Sequence, residues 1–362
     1  MKKYINEKRG MNMGKHNENK KKSGALKIFL RILLALLIII VILAGIATGY
    51  IANKLGKINI ETIDEKEVGI AEETKEELAG YRNIALLGID SRADDYGLGN
   101  RSDCMIIASL DQKTKNIRLI SVYRDTYMQI EEHGKKVLDK VTHAYSYGGA
   151  QNALKALNTN LDLNITEFVT ANFDAVIAAV DAVGGVTIDI DSSEIKYIND
   201  YINATSQSSG VKSSQITKTG KQTLDGVQAV AYSRIRYTQG GDYKRTERMR
   251  TVIEAMLSKA KTLSIGQLNK FVDTILPRIS TNISSTEILG LATSVTSYNI
   301  TDSMGWPYEI KGKTIDRWYG VPVTLESNVL QLHQEVFEQE DYVVNDTIKG
   351  ISNQIIKKTG YK

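Results

Sequence analysis

The residues best equipped for chemistry in this chain are arginines, and they gather where aspartates are close. Between Ser233 and Arg250 the chain reads SRIRYTQGGDYKRTERMR. Arg234 and Arg236 stand two apart in a run of β-forming residues, AVAYSRIRY, so on a strand they would project from one face. Arg245 and Arg248 stand three apart after a Gly-Gly-Asp break, so on a helix they would share a face. Four guanidiniums would then converge from a strand end and a helix start. Each is a planar fork of donors that matches phosphate oxygens and keeps its charge at any relevant pH. A helix N-terminus adds backbone N–H groups and the positive end of a dipole. The chemistry implied is capture of a multiply charged phosphate. The bland alternative is a solvated basic face paired to Asp242 and Glu247.

Four other segments bear on that pocket. Asp90 closes NIALLGID, and Asp103 follows thirteen residues later in GNRSDC. Both fall at strand margins, where α/β folds place ligands. Two carboxylates brought together can hold a hard cation such as Mg2+, which takes its remaining oxygens from water and phosphate. Capping a turn is the ordinary alternative for each. Arg101 lies two residues before Asp103, and Arg124-Asp125 ends the run RLISVY. That pair is either a surface ion pair of little energetic weight, or a pyrophosphate clamp (Arg124) with its orienter (Asp125). Lys140 and His143, in LDKVTHAYSYGG, are expected at the start of the next helix, a favourable anion position. His143 is a candidate base there, or a structural histidine. The chain contains no GxxxxGK[ST], HExxH or GxSxG motif and no Cys/His metal spacing. A nucleotide triphosphatase, zinc protease or α/β-hydrolase would lack its required parts.

The elements that must position these residues follow from hydrophobic pattern. NIALLGID, CMIIASLD and NIRLISVYRD read as buried strands, the last two joined by the polar turn 111–116. Residues 142–158 carry helical spacing despite Gly148-Gly149, EFVTANF is strand-like, DAVIAAVDAV helical, and GGVTIDID a strand. Residues 192–223 are polar and rich in Ser and Thr, and read as a flexible excursion or lid. TLDGVQAVAYSRIRY would be the returning strand, and residues 245–263 a long helix. The stretch from Leu268 to Phe337 alternates helices with the strand WYGVPV. Strands alternating with helices predict an α/β sandwich built on a mixed sheet. Cys104, the only cysteine, excludes an internal disulfide and falls in a strand expected to be buried.

Charge divides the chain. Ten Lys and Arg against two Glu occupy residues 1–31, a net +8 in a chain whose whole net charge is +4, so the remainder is −4. Residues 32–52 then run 21 positions without a charge. At about 1.5 Å per residue that stretch covers roughly 31 Å, the thickness of a bilayer core. Signal peptides have apolar regions of only about 7–15 residues, so an uncleaved anchor is expected. The positive-inside rule keeps the basic tail cytoplasmic and places the rest outside the cell. The basic pI belongs to that tail, which suits anionic lipid and leaves no ground for a nucleic-acid partner. Residues 53–80 read as a stalk, 81–340 as the catalytic domain and 341–362 as a C-terminal tail.

NIALLGIDSR, GNRSDCMIIASLD, SVYRDT, KVTHAYSYGGAQNAL, GGVTIDI and LDGVQAVAYSRIRY with GDYKRTERMR occur here in one order. In that order they resemble the LytR–CpsA–Psr family of bacterial envelope proteins. The resemblance covers roughly residues 82–257, with a family-like end in VPVTLESNVLQLHQEVFE. It implies an α/β/α sandwich enclosing an apolar tunnel for a lipid tail. The activity implied is a membrane-anchored phosphotransferase of Gram-positive bacteria that moves a glycopolymer, such as a teichoic acid or capsule polymer, from a polyprenyl-pyrophosphate carrier to peptidoglycan. By similarity Asp90 and Asp103 would bind Mg2+, or Mn2+ in its place. Arg101, Arg124, Arg234, Arg236, Arg245 and Arg248 would contact the pyrophosphate. Lys140 joins them by its expected position, and Asp103 and Asp125 are the candidates nearest by motif for a base. A non-catalytic wall-polymer binder and a lipid-pyrophosphate hydrolase are the competing readings. Two departures stand out. Tyr123 occupies the place of a family proline, which costs loop rigidity, and Met249 occupies that of a glutamine, which removes one donor.

Overall fold

The structure is a computed structural model and describes residues 59–91 and 95–362. The expected basic tail (1–31) and membrane span (32–52) lie outside the described residues. Among the described residues, no helix is long and apolar enough to cross a membrane.

In chain order the strands are β1 (Asn59–Ile60), β2 (Tyr81–Ile89), β3 (Ser102–Asp111), β4 (Asn116–Val122), β5 (Tyr127–Glu132), β6 (Lys135–Lys140), β7 (Glu167–Ala171), β8 (Val186–Ile190), β9 (Gly220–Leu224), β10 (Ile279–Thr281), β11 (Asn299–Trp306), β12 (Ile310–Thr314) and β13 (Trp318–Pro322). The helices are α1 (Glu72–Glu77), α2 (Thr142–Leu161), α3 (Phe173–Ala182), α4 (Ser192–Ser209), α5 (Gly226–Arg234), α6 (Gly241–Ala260), α7 (Ile265–Ile275), α8 (Ser285–Thr293), α9 (Leu325–Phe337) and α10 (Asp346–Thr359).

The main sheet runs β1-β10-β7-β2-β3-β4-β11. Its β2–β3, β3–β4 and β10–β7 pairs are antiparallel, whereas β1–β10, β2–β7 and β4–β11 are parallel. This is the mixed sheet expected, and side-chain alternation explains its two covered faces. Ala85, Leu87, Met105, Ile107, Ile120 and Val122 join one core with α2, α9 and α10, while Ile84, Ile106, Ala108, Leu110, Ile117 and Leu119 join another. The second core is less tightly closed: Leu86, Val169, Met249, Ile253 and Leu291 are only partly buried against it. A third cluster, formed by α3, α4, α5, β8 and β9, buries Val180, Ile188, Ile198, Leu224 and Val230.

Several expectations need correction. Residues 192–209 form the regular helix α4, opened by a capping box between Asp191 and Glu194, not a flexible excursion. The returning strand is short: β9 ends at Leu224, and residues 226–234 form helix α5, again behind a capping box (Asp225 and Gln228). Among the described residues the compact unit is wider than 81–340 and extends from 59 to 362. Val68 and Leu78, placed in a stalk, and Ile351 and Ile355, placed in a tail, are buried in the first core. The β5–β6 hairpin is an element the hydrophobic pattern had not marked. His133 and Gly134, both with positive φ, make its two-residue turn.

Candidate functional site

The ends of β2, β3 and β4, the β5–β6 hairpin and the start of α6 meet at one edge of the sheet. The β2–β3 register shifts there: Gly88 pairs with Cys104, but Ile89 pairs with Ser102. Asp103 is therefore the extra residue of a β-bulge, a device that re-aims a side chain. Its carboxylate becomes the centre of the site. Arg124 Nη1 donates to Asp103 Oδ1 at 2.5 Å. Arg236 Nη2 and Arg245 Nη1 lie 3.5 and 3.7 Å from Oδ2, and Arg245 Nη2 donates to the Asp103 carbonyl at 3.4 Å. Three guanidiniums thus share one carboxylate and leave a surplus of positive charge. Asp242, in the first turn of α6, adds a second contact, 3.2 Å from Arg245 and 3.7 Å from Arg236. Burial pushes the Asp242 carboxyl above its usual range, with Arg236 opposing and Asp125 reinforcing the shift.

Arg124 is held by its backbone. Thr142 N–H donates to its carbonyl at 3.1 Å, and Thr126 N–H closes a turn onto the Tyr123 carbonyl at 3.0 Å. Tyr123 makes up for the proline it replaces. Its N–H donates to the Trp306 carbonyl at 3.0 Å, a bond a proline cannot make. Its ring packs on Tyr243 and over Gly305, where a Cβ would collide with the phenol. Asp125 pairs with Lys140 at 2.7 Å and lies 3.7 Å from Arg124 Nε. Lys140 itself ends β6, short of the helix start. His143 is buried and bonded to Asp139 at 2.7 Å, which makes it a structural residue in this geometry.

The arginine pairs read from spacing are split. Arg234 ends helix α5, not a strand, and only at Ile235 does the backbone become extended. Arg234 donates to Thr205 at 3.0 Å and covers the rings of Phe173 and Tyr201, so it turns toward the third cluster. Arg248 is fully buried and paired with Glu194 at 2.7 Å. It also donates to the Ile235 carbonyl (3.1 Å) and to Thr238 Oγ1 (2.7 Å), pinning both sides of the segment that carries Arg236. Glu194 serves twice, since its other oxygen accepts the Asp191 N–H. Asp90 and Arg101 are exposed and form no ion pair among the described residues. Sequence reasoning did not give Glu194 a role, although the D-S-S-E capping signature at 191–194 marked it.

Among the described residues, no group of three or more acidic, His or Cys side chains is gathered as a metal cage. The chain offers two carboxylates at adjacent strand ends, Asp90 and Asp103. That donor set fits Mg2+, which takes one or two carboxylates and completes its shell with water and phosphate. Burial pushes the thiol of Cys104, next to Asp103, up to about 12.

The fold is a mixed α/β sandwich whose central sheet gathers Arg124, Arg236 and Arg245 around Asp103 at one edge. The family model described as the LytR_cpsA_psr family matches residues 48–333, and the chain belongs to that family. A relative from Bacillus subtilis (strain 168), the polyisoprenyl-teichoic acid–peptidoglycan teichoic acid transferase TagT, is 29% identical over 314 residues, covering 83% of this chain and 92% of the relative. TagU of Oceanobacillus iheyensis, with the same transferase description, is 31% identical over 257 residues, 68% of this chain and 72% of the relative. Among solved structures, TagT bound to LIIa-WTA superposes with a TM-score of 0.54 at 23% identity, over 83% of this chain and 94% of that one. TagT with bound octaprenyl pyrophosphate lipid gives 0.50 at 22% identity, over 83% and 94%. These likenesses establish the fold.

Proposed function

We propose that this chain is a membrane-anchored phosphotransferase that moves a teichoic-acid-type glycopolymer from a polyprenyl-pyrophosphate carrier to peptidoglycan. The observation that carries the reading is the convergence of Arg124, Arg236 and Arg245 on Asp103. A pyrophosphate diester bears about two negative charges and spreads more onto its leaving group, so positioning and electrostatic stabilisation do most of the work. An acceptor sugar hydroxyl attacks the polymer-bearing phosphorus, the P–O bond to the lipid phosphate breaks, and polyprenyl monophosphate leaves. The hydroxyl proton passes to a carboxylate at the site and then to the departing phosphate or to water.

Arg124, Arg236 and Arg245 bind the bridging and non-bridging oxygens, and Asp103 keeps the three guanidiniums in register. Asp125 and Lys140 brace the Arg124 loop. Mg2+, held by Asp90 and Asp103, would supply further neutralisation of phosphate charge. The carrier's isoprene tail would lie along the less tightly closed core beside Met249 and Ile253. An anchor at residues 32–52 would confine the enzyme to the leaflet that holds the carrier, raising the effective concentration of each for the other.

The test is reconstituted full-length protein with a lipid-pyrophosphate donor and peptidoglycan. Released polyprenyl phosphate together with polymer covalently bound to peptidoglycan is the expected outcome. Arg124→Ala should lower transfer by about 10³-fold, the weight of a guanidinium at a transferring phosphoryl group. Release without attachment would assign hydrolysis instead, and binding without release would remove the catalytic reading.

A further inference from the structure

Beside the arginine cluster lies a cleft of about 230 Å³ that the phosphate chemistry does not use. Tyr123, Tyr243 and Trp318 supply its aromatic wall, and Asp125 and Asp242 supply its polar groups. We propose that this cleft seats one pyranose ring of the peptidoglycan acceptor, stacked on Trp318, with its hydroxyls donating to Asp125 and Asp242. The proposal rests on the transferase reading and names the acceptor subsite of that same site.

The aromatic wall is built into the fold. Trp318 pairs with Thr314 across the β12–β13 hairpin, and its indole lies over Gly312, where a Cβ would sit 2.9 Å from Nε1. Part of the ring is therefore against backbone, and the residue remains 44% exposed, which leaves ring area open to a ligand. Tyr243 packs edge-on to Tyr123 with centroids 4.6 Å apart, and its hydroxyl approaches Gly320 of the same hairpin. The hairpin is tied to the catalytic loop by the Gly320 N–H, which donates to the Asp125 carbonyl at 2.9 Å. Cleft and phosphate clamp are thus held in one frame.

Charge and size select the occupant. Asp125 is already paired with Lys140, and Asp242 with Arg236 and Arg245, so the wall has little net charge to spare for an ion, whereas its carboxylate oxygens can accept hydrogen bonds from a neutral polyol. An aromatic face with polar groups at its rim suits a ring that is apolar on its faces and hydroxylated at its edge. The volume is below the roughly 300–1,000 Å³ of drug-sized pockets and matches a single sugar ring, whose neighbours in a glycan would extend from the open mouth. Asp242 touches both Arg236 and Arg245, so a hydroxyl bonded to it is next to the phosphate those arginines hold.

Trp306, the only other tryptophan, is completely buried, so solvent quenching of fluorescence reports on Trp318. With the full-length protein, an oligosaccharide of alternating N-acetylglucosamine and N-acetylmuramic acid should protect Trp318 from acrylamide. This readout needs no turnover, so it stands or falls apart from the transferase reading. In the transfer assay, Trp318→Ala should raise the acceptor KM about tenfold, the order of one lost ring contact. The donor KM should stay unchanged, and Trp318→Phe should recover most of the loss. A rise confined to the donor KM would give the cleft to a sugar of the carrier-linked polymer and overturn the proposal. Absence of both protection and a KM change would overturn it equally.

Discussion

Arg245 and Arg248 sit one turn apart on α6 and are buried to nearly the same degree, 2% and 1% exposed, yet they face different tasks. Arg245 leans on Asp103 and Asp242 at distances of 3.2 to 3.7 Å, contacts loose enough for a phosphate to compete with. Arg248 has its Nε, Nη1 and Nη2 committed at 2.7 to 3.1 Å to Glu194, Ile235 and Thr238. Arg234 differs from Arg236 by direction more than by saturation, with one hydrogen bond to Thr205 and the rings of Phe173 and Tyr201 beneath it. On the proposed reading, one residue type in one short segment supplies both a ligand-binding group and a scaffold, and the bonding of each guanidinium tells them apart. A guanidinium already satisfied by protein has little to offer a substrate.

The largest effect should come from Arg236→Ala. Its side chain is 47% exposed, so folding stability should change by no more than about 0.5 kcal/mol, while transfer falls by about 10³-fold. Arg248→Ala should do the reverse in kind. It strands the buried Glu194 carboxylate, which should cost about 3–5 kcal/mol in urea unfolding. Arg248→Met combined with Glu194→Leu should recover most of that stability, because removing both partners leaves no orphaned charge. If Arg248→Ala instead left stability intact and abolished transfer, the division between the two arginines would collapse. Arg234→Ala should be milder, losing about 1 kcal/mol for its hydrogen bond to Thr205 and its ring contacts. A transfer defect as deep as that of Arg236→Ala would move Arg234 back into the site.

Much of this was legible beforehand, and what was not has physical causes. β2, β3 and β4 announced themselves because both faces are covered and their apolar runs are continuous. The approach of Arg124 to Asp103 was expected only through resemblance, since the bulge that aims Asp103 depends on the register of β2 against β3. Register is a non-local property and leaves no mark in either strand alone. The Arg234–Arg236 error was avoidable. AVAYSR favours strand by residue type, but Asp225 and Gln228 form a capping-box signature immediately before it, and the cap prevailed. The same signature at Asp191–Glu194 argued against a flexible lid. The stalk and tail assignments failed because Val68 and Ile351 lie in charged surroundings, and only tertiary packing reveals their burial.

The finest test of the comparison uses acid. Asp139 belongs to the scaffold side: it bonds His143 at 2.7 Å and accepts from Tyr319 at 3.3 Å, although it adjoins Lys140 of the site. Burial raises its carboxyl, but the bonds from His143 and the Lys140 N–H outweigh this, and the net shift is downward. A depressed folded value means that the stabilisation is present above the unfolded value of about 3.9 and is lost as pH falls through the folded one. Unfolding curves from pH 6 to 2 should therefore show an acid-side loss that Asp139→Asn flattens. The side chain is partly exposed and the effect should stay below about 1 kcal/mol. Transfer at neutral pH should change little, because Asp139 holds the hairpin base and touches no arginine of the Asp103 cluster. A variant with unaltered acid stability and a lost transfer rate would place Asp139 among the substrate-handling residues, and the line drawn between Arg245 and Arg248 would no longer extend to the carboxylates.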